Sequence, residues 1–316
     1  MPRTSPCPPP VPLTGVVPPL CTPLTPDGEV DAGGLKALVD RSIGAGVHAL
    51  FVLGSTGEVA YLDDAQRAAA LRTAVQTAAG RVPVLAGAID TTTPRVLRHA
   101  EVAAAEGADA IVATAPFYTR THPVEIAAHF RRIRAAVPLP LFAYDIPVSV
   151  HSKLDTATVL GLAEDGTLAG VKDSSGDEAS MRRLLVALRR RALERFSVLT
   201  GSELVVDGAF LSGAHGVVPG LGNVDPEGYL RLHDHVRAGR WRAAAAEQDR
   251  LVRLFGIVDA GPDHLMGRNS SAIGAFKAAL RMLGVIDHAT TAVPQVPLEE
   301  AAIAHVRALL EEAELL

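Results

Sequence analysis

Short, nearly unbroken apolar runs alternate with segments of helical spacing along most of the chain. The runs fall at residues 15–21, 48–53, 82–86, 109–113, 139–144, 168–172, 197–200 and 216–218. Each is cut off by polar or turn-forming residues, as expected of a buried strand meeting a loop. Between them the spacing predicts helices over 31–43, 63–79, 123–135, 156–163, 202–211 and 226–236, and another running through Met181 and Leu185. The helix at 63–79 carries Asp in its first turn. A further helix begins near Pro94, which suits a first turn, with Thr93 as its expected N-cap. The strands are continuous rather than alternating, which fits a parallel sheet covered on both faces. Eight strand–helix units over residues 13–238 are the pattern of a TIM (β/α)8 barrel. A doubly wound sheet is the alternative, but the first unit lacks the GxGxxG turn of its dinucleotide-binding form. After Gly239 only helical patterns remain, at 241–255, 271–283 and 298–313, so a small C-terminal helical domain over 239–316 follows the barrel. The Pro-rich residues 1–12 read as a disordered tail without the apolar centre of a signal peptide.

The 316 residues are 48% hydrophobic and 21% charged, which suits a large soluble core. A net charge of −5 leaves no electrostatic footprint for nucleic acid, and no apolar run is long enough to span a membrane. Cys7 and Cys21 have neither disulfide-framework nor metal-ligand spacing, which fits a reducing cytoplasm.

Only four lysines stand against twenty-six arginines. Lys36 and Lys277 fall in amphipathic helical patterns and Lys153 in a loop; Lys172 alone ends a strand, in LAGVKDSSG. An ammonium at the end of a buried strand costs several kcal/mol to desolvate. Burial favours the neutral amine, the form that attacks carbonyls in Schiff-base chemistry. The plainer alternative is a salt-bridged lysine paired with Asp173.

In a barrel the chemistry gathers where strands end. The second strand ends in GSTGE (54–58), the fourth in TAPFY (114–118), the fifth in AYDIP (143–147), the sixth at Lys172, the seventh in TGSE (200–203) and the eighth in VVPGLGN (217–223). Two of the four tyrosines, Tyr118 and Tyr144, fall on these ends. A buried Tyr144 phenol needs a polar partner, and the neighbouring strand offers Lys172; otherwise Tyr144 is a wall residue. The amides of the Gly-rich GSTGE turn, with the hydroxyls of Ser55 and Thr56, suit a carboxylate. Together these make a keto-acid site: carboxylate held by the second strand's turn, carbonyl attacked by the sixth, protons moved from the fifth. The GLG turn after the eighth strand is the alternative anion cradle, for phosphate, though no basic residue stands beside it.

These motifs, with GVVPPLCTPLTPDGEVD near the start and GVVPGLGNVDPE near the eighth strand, resemble the pyruvate-dependent Schiff-base aldolases and lyases grouped around dihydrodipicolinate synthase and N-acetylneuraminate lyase. The resemblance runs from about Leu13 into the C-terminal helices. It implies that Lys172 forms the imine with pyruvate, Tyr144 is the acid/base, and Ser55, Thr56 and Gly57 bind the keto-acid carboxylate. It places Tyr118 where a neighbouring subunit's site would be reached, with Thr56 and Tyr118 joining the catalytic set, and the Val218 backbone near the keto acid. It also implies a homotetramer that uses neither metal nor organic cofactor.

Two departures bear on substrate. Dihydrodipicolinate synthases carry an arginine five residues after the catalytic tyrosine, which grips the second substrate's carboxylate; here that position is Ser149. Losing a bidentate carboxylate partner disfavours aspartate semialdehyde. Sialic acid lyases place two acidic residues after the glycine of the seventh strand, whereas Glu203 is here followed by Leu204. Phe117 stands where synthases often have a second tyrosine. Ser149, Ser174, Ser202 and Glu203 are the expected lining of the aldehyde pocket. The expected activity joins or cleaves a carbon–carbon bond between pyruvate and an aldehyde, the product class being 2-keto-3-deoxy sugar acids or related hydroxy-keto acids. A dehydratase using the same imine, dihydrodipicolinate synthase itself, and an inactive keto-acid-binding barrel are the alternatives.

Overall fold

A computed structural model of the chain describes residues 12–316. Eight parallel strands form one sheet: β1 (Gly15–Val16), β2 (Leu50–Val52), β3 (Val84–Gly87), β4 (Ala110–Thr114), β5 (Leu141–Asp145), β6 (Gly170–Asp173), β7 (Ser197–Thr200) and β8 (Gly216–Val217). Their order is β1-β8-β7-β6-β5-β4-β3-β2, and a parallel bridge between Pro19 and Phe51 joins the two ends of the sheet. Every strand residue is buried, as the continuous apolar runs predict.

The helices are α1 (Ala32–Ala45), α2 (Asp64–Ala78), α3 (Thr93–Ala105), α4 (Pro123–Ala136), α5 (Pro147–Val150), α6 (Thr156–Glu164), α7 (Glu178–Arg190), α8 (Val206–Ser212), α9 (Pro226–Arg237), α10 (Trp241–Phe255), α11 (Arg268–Met282) and α12 (Glu300–Glu312). Among the described residues no helix is long and apolar enough to cross a membrane. Local chemistry starts several helices. Asp63 caps α2 in a reciprocal box with Gln66, and Asp31, Asp155 and Asp177 each accept an amide from the first turn of their helix.

Four sequence expectations move. The first strand is two residues long rather than seven, because Pro18 and Pro19 have no N–H to give a ladder. Thr92, not Thr93, precedes α3; Thr93 is already helical, and its hydroxyl meets Nδ1 of His129 at 2.9 Å. The helix expected from Ser202 starts only at Val206, since Gln248 of α10 holds the Val206 amide and the Glu203 carbonyl. The short α5, within the loop after β5, has no apolar periodicity and was not expected.

Lys277, expected in an amphipathic helix, is fully buried. Its ammonium pairs with Glu58, the last residue of GSTGE, and donates to the Thr290 carbonyl at 2.7 Å; Glu58 also accepts the Ala292 amide at 2.7 Å. Burial raises the Glu58 carboxyl, and the opposing pull of Lys277 does not fully cancel it. This pair latches the turn after β2 onto α11 and the segment that follows it. Lys277→Met is therefore expected to cost about 3–5 kcal/mol in chemical unfolding, because it strands a buried carboxylate. Adding Glu58→Gln should recover part of the loss, since the amide oxygen still accepts from Ala292 without a charge. A single variant as stable as the parent would refute the latch.

Candidate active site

Strand register brings the site together. Thr114, Tyr144, Lys172 and Leu199 are in-register neighbours across β4, β5, β6 and β7. In a parallel sheet such neighbours point to the same side, here the barrel interior, where the Lys172 ammonium lies 4.0 Å from the centre of the Tyr144 ring and 5.2 Å from that of Phe51. The next row, Asp145 and Asp173, points the other way.

Lys172 is 6% exposed, and among the described residues no carboxylate lies within 4 Å of its amine. The salt bridge to Asp173 does not form. Asp173 instead accepts the Ser175 amide and faces Lys153 at 3.9 Å. Lys153 also pairs with Asp145 and so joins the outer ends of β5 and β6 to the segment that follows α5. Burial raises the Asp145 carboxyl in spite of that pairing. The outer lysine thus pairs with both aspartates, and the inner one has no carboxylate within 4 Å among the described residues.

Tyr144 is also buried. Burial alone would raise its phenol, but the Lys172 charge, with hydrogen bonds involving Ser55, Lys172 and Ser174, outweighs this and leaves the phenol below its ordinary value. Its hydroxyl lies 3.3 Å from the Ser55 hydroxyl. A phenol so placed gives up and regains a proton more readily than one in water. Gly201 keeps this corner open: a Cβ there would stand 2.0 Å from the Ser174 hydroxyl and 3.2 Å from Cε of Lys172.

The turn after β2 is wound tightly. The Gly57, Glu58 and Val59 amides bond back to Gly54 and Ser55 carbonyls, whereas the Ser55 and Thr56 amides have no partner among the described residues. These two donors, with two hydroxyls, are free to accept an anion at this turn. Gly57 has to be small, since a Cβ would lie 3.0 Å from the Leu20 carbonyl oxygen. Gly87 on β3 is tighter still, with the Leu53 carbonyl oxygen 1.9 Å from where a Cβ would be.

Ser149 and Ser55 line a cavity of about 260 Å³ with Val59, Ala60, Tyr61, Ile89, Thr114, Phe117, Ile146, Val150 and Asn269. Among the described residues no charged side chain lines it. Asn269 was not singled out from sequence, since it comes from α11, outside the barrel, and Thr114 was quoted only as the first residue of the TAPFY strand end, with no role of its own.

Other expected members stand elsewhere. Ser202 borders a separate small cleft with Asp173 and Thr200. Glu203 is no free aldehyde ligand: its carboxylate accepts the Gly220 and Leu221 amides at 2.8 and 3.0 Å and the Tyr229 hydroxyl at 2.6 Å. Burial pushes it up to about 7 against those bonds and the Lys172 charge. Because Glu203 already holds the Gly220 and Leu221 amides, the GLG turn has no amide cradle to offer a phosphate. The Val218 amide is likewise committed, to the Thr200 carbonyl at 2.8 Å. Tyr118 is 89% exposed with φ +78°, a strained angle for a tyrosine. Cys21 is buried, and burial pushes its thiol up to about 12, which leaves it inert; Cys7 lies outside the described residues.

Comparison with known proteins agrees with this fold. Residues 12–313 match the dihydrodipicolinate synthetase family. The chain belongs to that family. Its members are lyases of the pyruvate-dependent class I aldolase type, and this chain is one of them. It is 34% identical over 306 residues to a 4-hydroxy-tetrahydrodipicolinate synthase of Phenylobacterium zucineum, covering 96% of this chain and 98% of that protein. An uncharacterized DapA-like lyase of Halobacterium salinarum is 34% identical over 253 residues, 80% of this chain and 82% of the relative. Among solved structures, YagE, a prophage protein of E. coli K12 in complex with pyruvate, superposes with a TM-score of 0.89 at 28% identity, over 96% of this chain and 99% of that one. The dihydrodipicolinate synthase of Bacteroides thetaiotaomicron also gives 0.89, at 32% identity and the same coverage.

Proposed function

We propose that this family member joins pyruvate to, or cleaves it from, a neutral hydroxylated aldehyde, with a 2-keto-3-deoxy sugar acid or a related hydroxy-keto acid as the joined species. The observation that carries this reading is the uncharged lining of the cavity at Ser149. In the mechanism we assign, the Lys172 amine attacks C2 of pyruvate, the Tyr144 phenol gives its proton to the departing hydroxyl, and water leaves to give a protonated imine. The Ser55 and Thr56 amides hold the carboxylate. The Tyr144 phenolate then takes a C3 proton, which yields the enamine with the imine nitrogen as electron sink, and C3 attacks the aldehyde carbon. Tyr144 delivers a proton to the aldehyde oxygen as the new bond forms, and water releases the product from Lys172. Tyr118, projecting from its own chain, is assigned to a neighbouring subunit's site in a homotetramer. The site of action is the cytoplasm.

The competing reading is 4-hydroxy-tetrahydrodipicolinate synthesis, which the names of several relatives favour. It needs a cation for the carboxylate of aspartate semialdehyde, and the cavity presents none. A panel of aldehydes and 2-keto acids, read by pyruvate consumption or release, separates the two. Wild-type protein should turn over a hydroxylated partner well and aspartate semialdehyde poorly. Ser149→Arg should raise the second activity and lower the first, each by about 10- to 100-fold, the worth of one charge-assisted pair. Wild-type condensation with aspartate semialdehyde at a rate rivalling the best other partner would overturn this assignment.

A further inference from the structure

We infer that Thr114 and Asn269 form the subsite that selects the aldehyde, by hydrogen bonding to its hydroxyl groups. This inference rests on the imine reading above and adds two residues to it. Thr114 ends β4 directly beside Tyr144 in register, so its side chain stands on the same inner face as the phenol and the Lys172 amine. It is 2% exposed, and its hydroxyl oxygen is buried with no hydrogen-bond partner among the described residues. Its backbone carbonyl is separately occupied by Nε2 of His129 at 3.1 Å, which fixes the end of the strand, and the residue lines the cavity. A threonine hydroxyl both donates and accepts, and in an otherwise apolar wall of Ile89, Ile146, Phe117 and Val150 it is matched by a ligand that does the same.

Asn269, exposed at the start of α11, lines the same cavity, and its side chain has no protein partner among the described residues. Its amide supplies two donors and an acceptor without charge. Ser149 completes a set of neutral groups that each donate and accept. A hydroxyl satisfies every one of them, whereas a carboxylate leaves their acceptor capacity unused and has no counter-ion. The ligand class that fits is a short aldehyde with a hydroxyl on the carbon next to its carbonyl, within reach of Thr114 when that carbonyl faces Tyr144.

The test compares glyceraldehyde with propanal, an aldehyde of the same length without hydroxyls, as acceptors for pyruvate, using the full chain. The readout is the ratio of their kcat/KM values. The wild-type ratio should favour glyceraldehyde. Thr114→Val, nearly isosteric, should lower the ratio about tenfold, the worth of one hydrogen bond, and Asn269→Ala should lower it too. Thr114→Ser, which retains the hydroxyl, should keep most of the preference. A ratio unchanged in Thr114→Val, or lowered equally by Thr114→Ser, would overturn the inference. Borohydride trapping of pyruvate on each protein separates the two levels. An adduct on Lys172 with an unmoved ratio refutes the subsite alone, and no adduct on the wild-type chain refutes the imine reading and the subsite with it.

Discussion

Lys172→Ala should reduce turnover to background while leaving a folded protein. On the mechanism proposed, its amine becomes the imine nitrogen that serves as electron sink, and the other three lysines stand elsewhere in the fold. Lys277 is locked to Glu58, Lys153 is paired with Asp145 on the outer face, and Lys36 is on α1. The fold should tolerate the change because no carboxylate within 4 Å loses its counter-charge among the described residues. That contrasts with Lys277, where the same kind of deletion strands Glu58. Circular dichroism and thermal unfolding would establish the fold, and pyruvate-dependent turnover the loss. Retained turnover would move the nucleophile away from β6 altogether.

Tyr144→Phe should lower turnover by roughly 10²–10⁴-fold, the usual contribution of a positioned acid/base. The ring would keep its place beside Lys172 and Phe51, so the barrel wall is preserved and only the proton carrier is removed. Ser55 would lose its neighbour at 3.3 Å but keep its free amide, so pyruvate should still bind. The pH profile adds a second check. The phenol sits below its ordinary value because the Lys172 charge and its hydrogen bonds outweigh burial. Ionisation of that phenol should therefore mark the alkaline limb of the wild-type profile at a lower pH than a free tyrosine would, and the limb should vanish in Tyr144→Phe. Normal turnover in the variant would reduce Tyr144 to a wall residue.

The residues proposed to carry the chemistry were legible because each is out of character for its place. An ammonium and a phenol ending buried strands are costly as packing, and strand ends in a barrel share one face. Seven of the eight strand positions were legible for a related reason: burial on both faces leaves an unbroken apolar run. What sequence did not reveal depends on partners distant along the chain. Nothing near Lys277 shows that Glu58 lies beside it, and nothing in TGSE shows that Glu203 turns away from the pocket to hold the Gly220 and Leu221 amides. Thr114 was hidden by its own setting, since a threonine in a strand ordinarily packs, and only the register with Tyr144 puts its hydroxyl in the site. The first strand was overcounted because apolarity was read without the missing amides of Pro18 and Pro19.

The direct test of the account is covalent. Wild-type protein incubated with pyruvate and reduced with borohydride should gain one reduced pyruvate per chain, and peptide mass spectrometry should place it on Lys172. An adduct on Lys36, Lys153 or Lys277, or no adduct at all, would contradict the Schiff-base assignment.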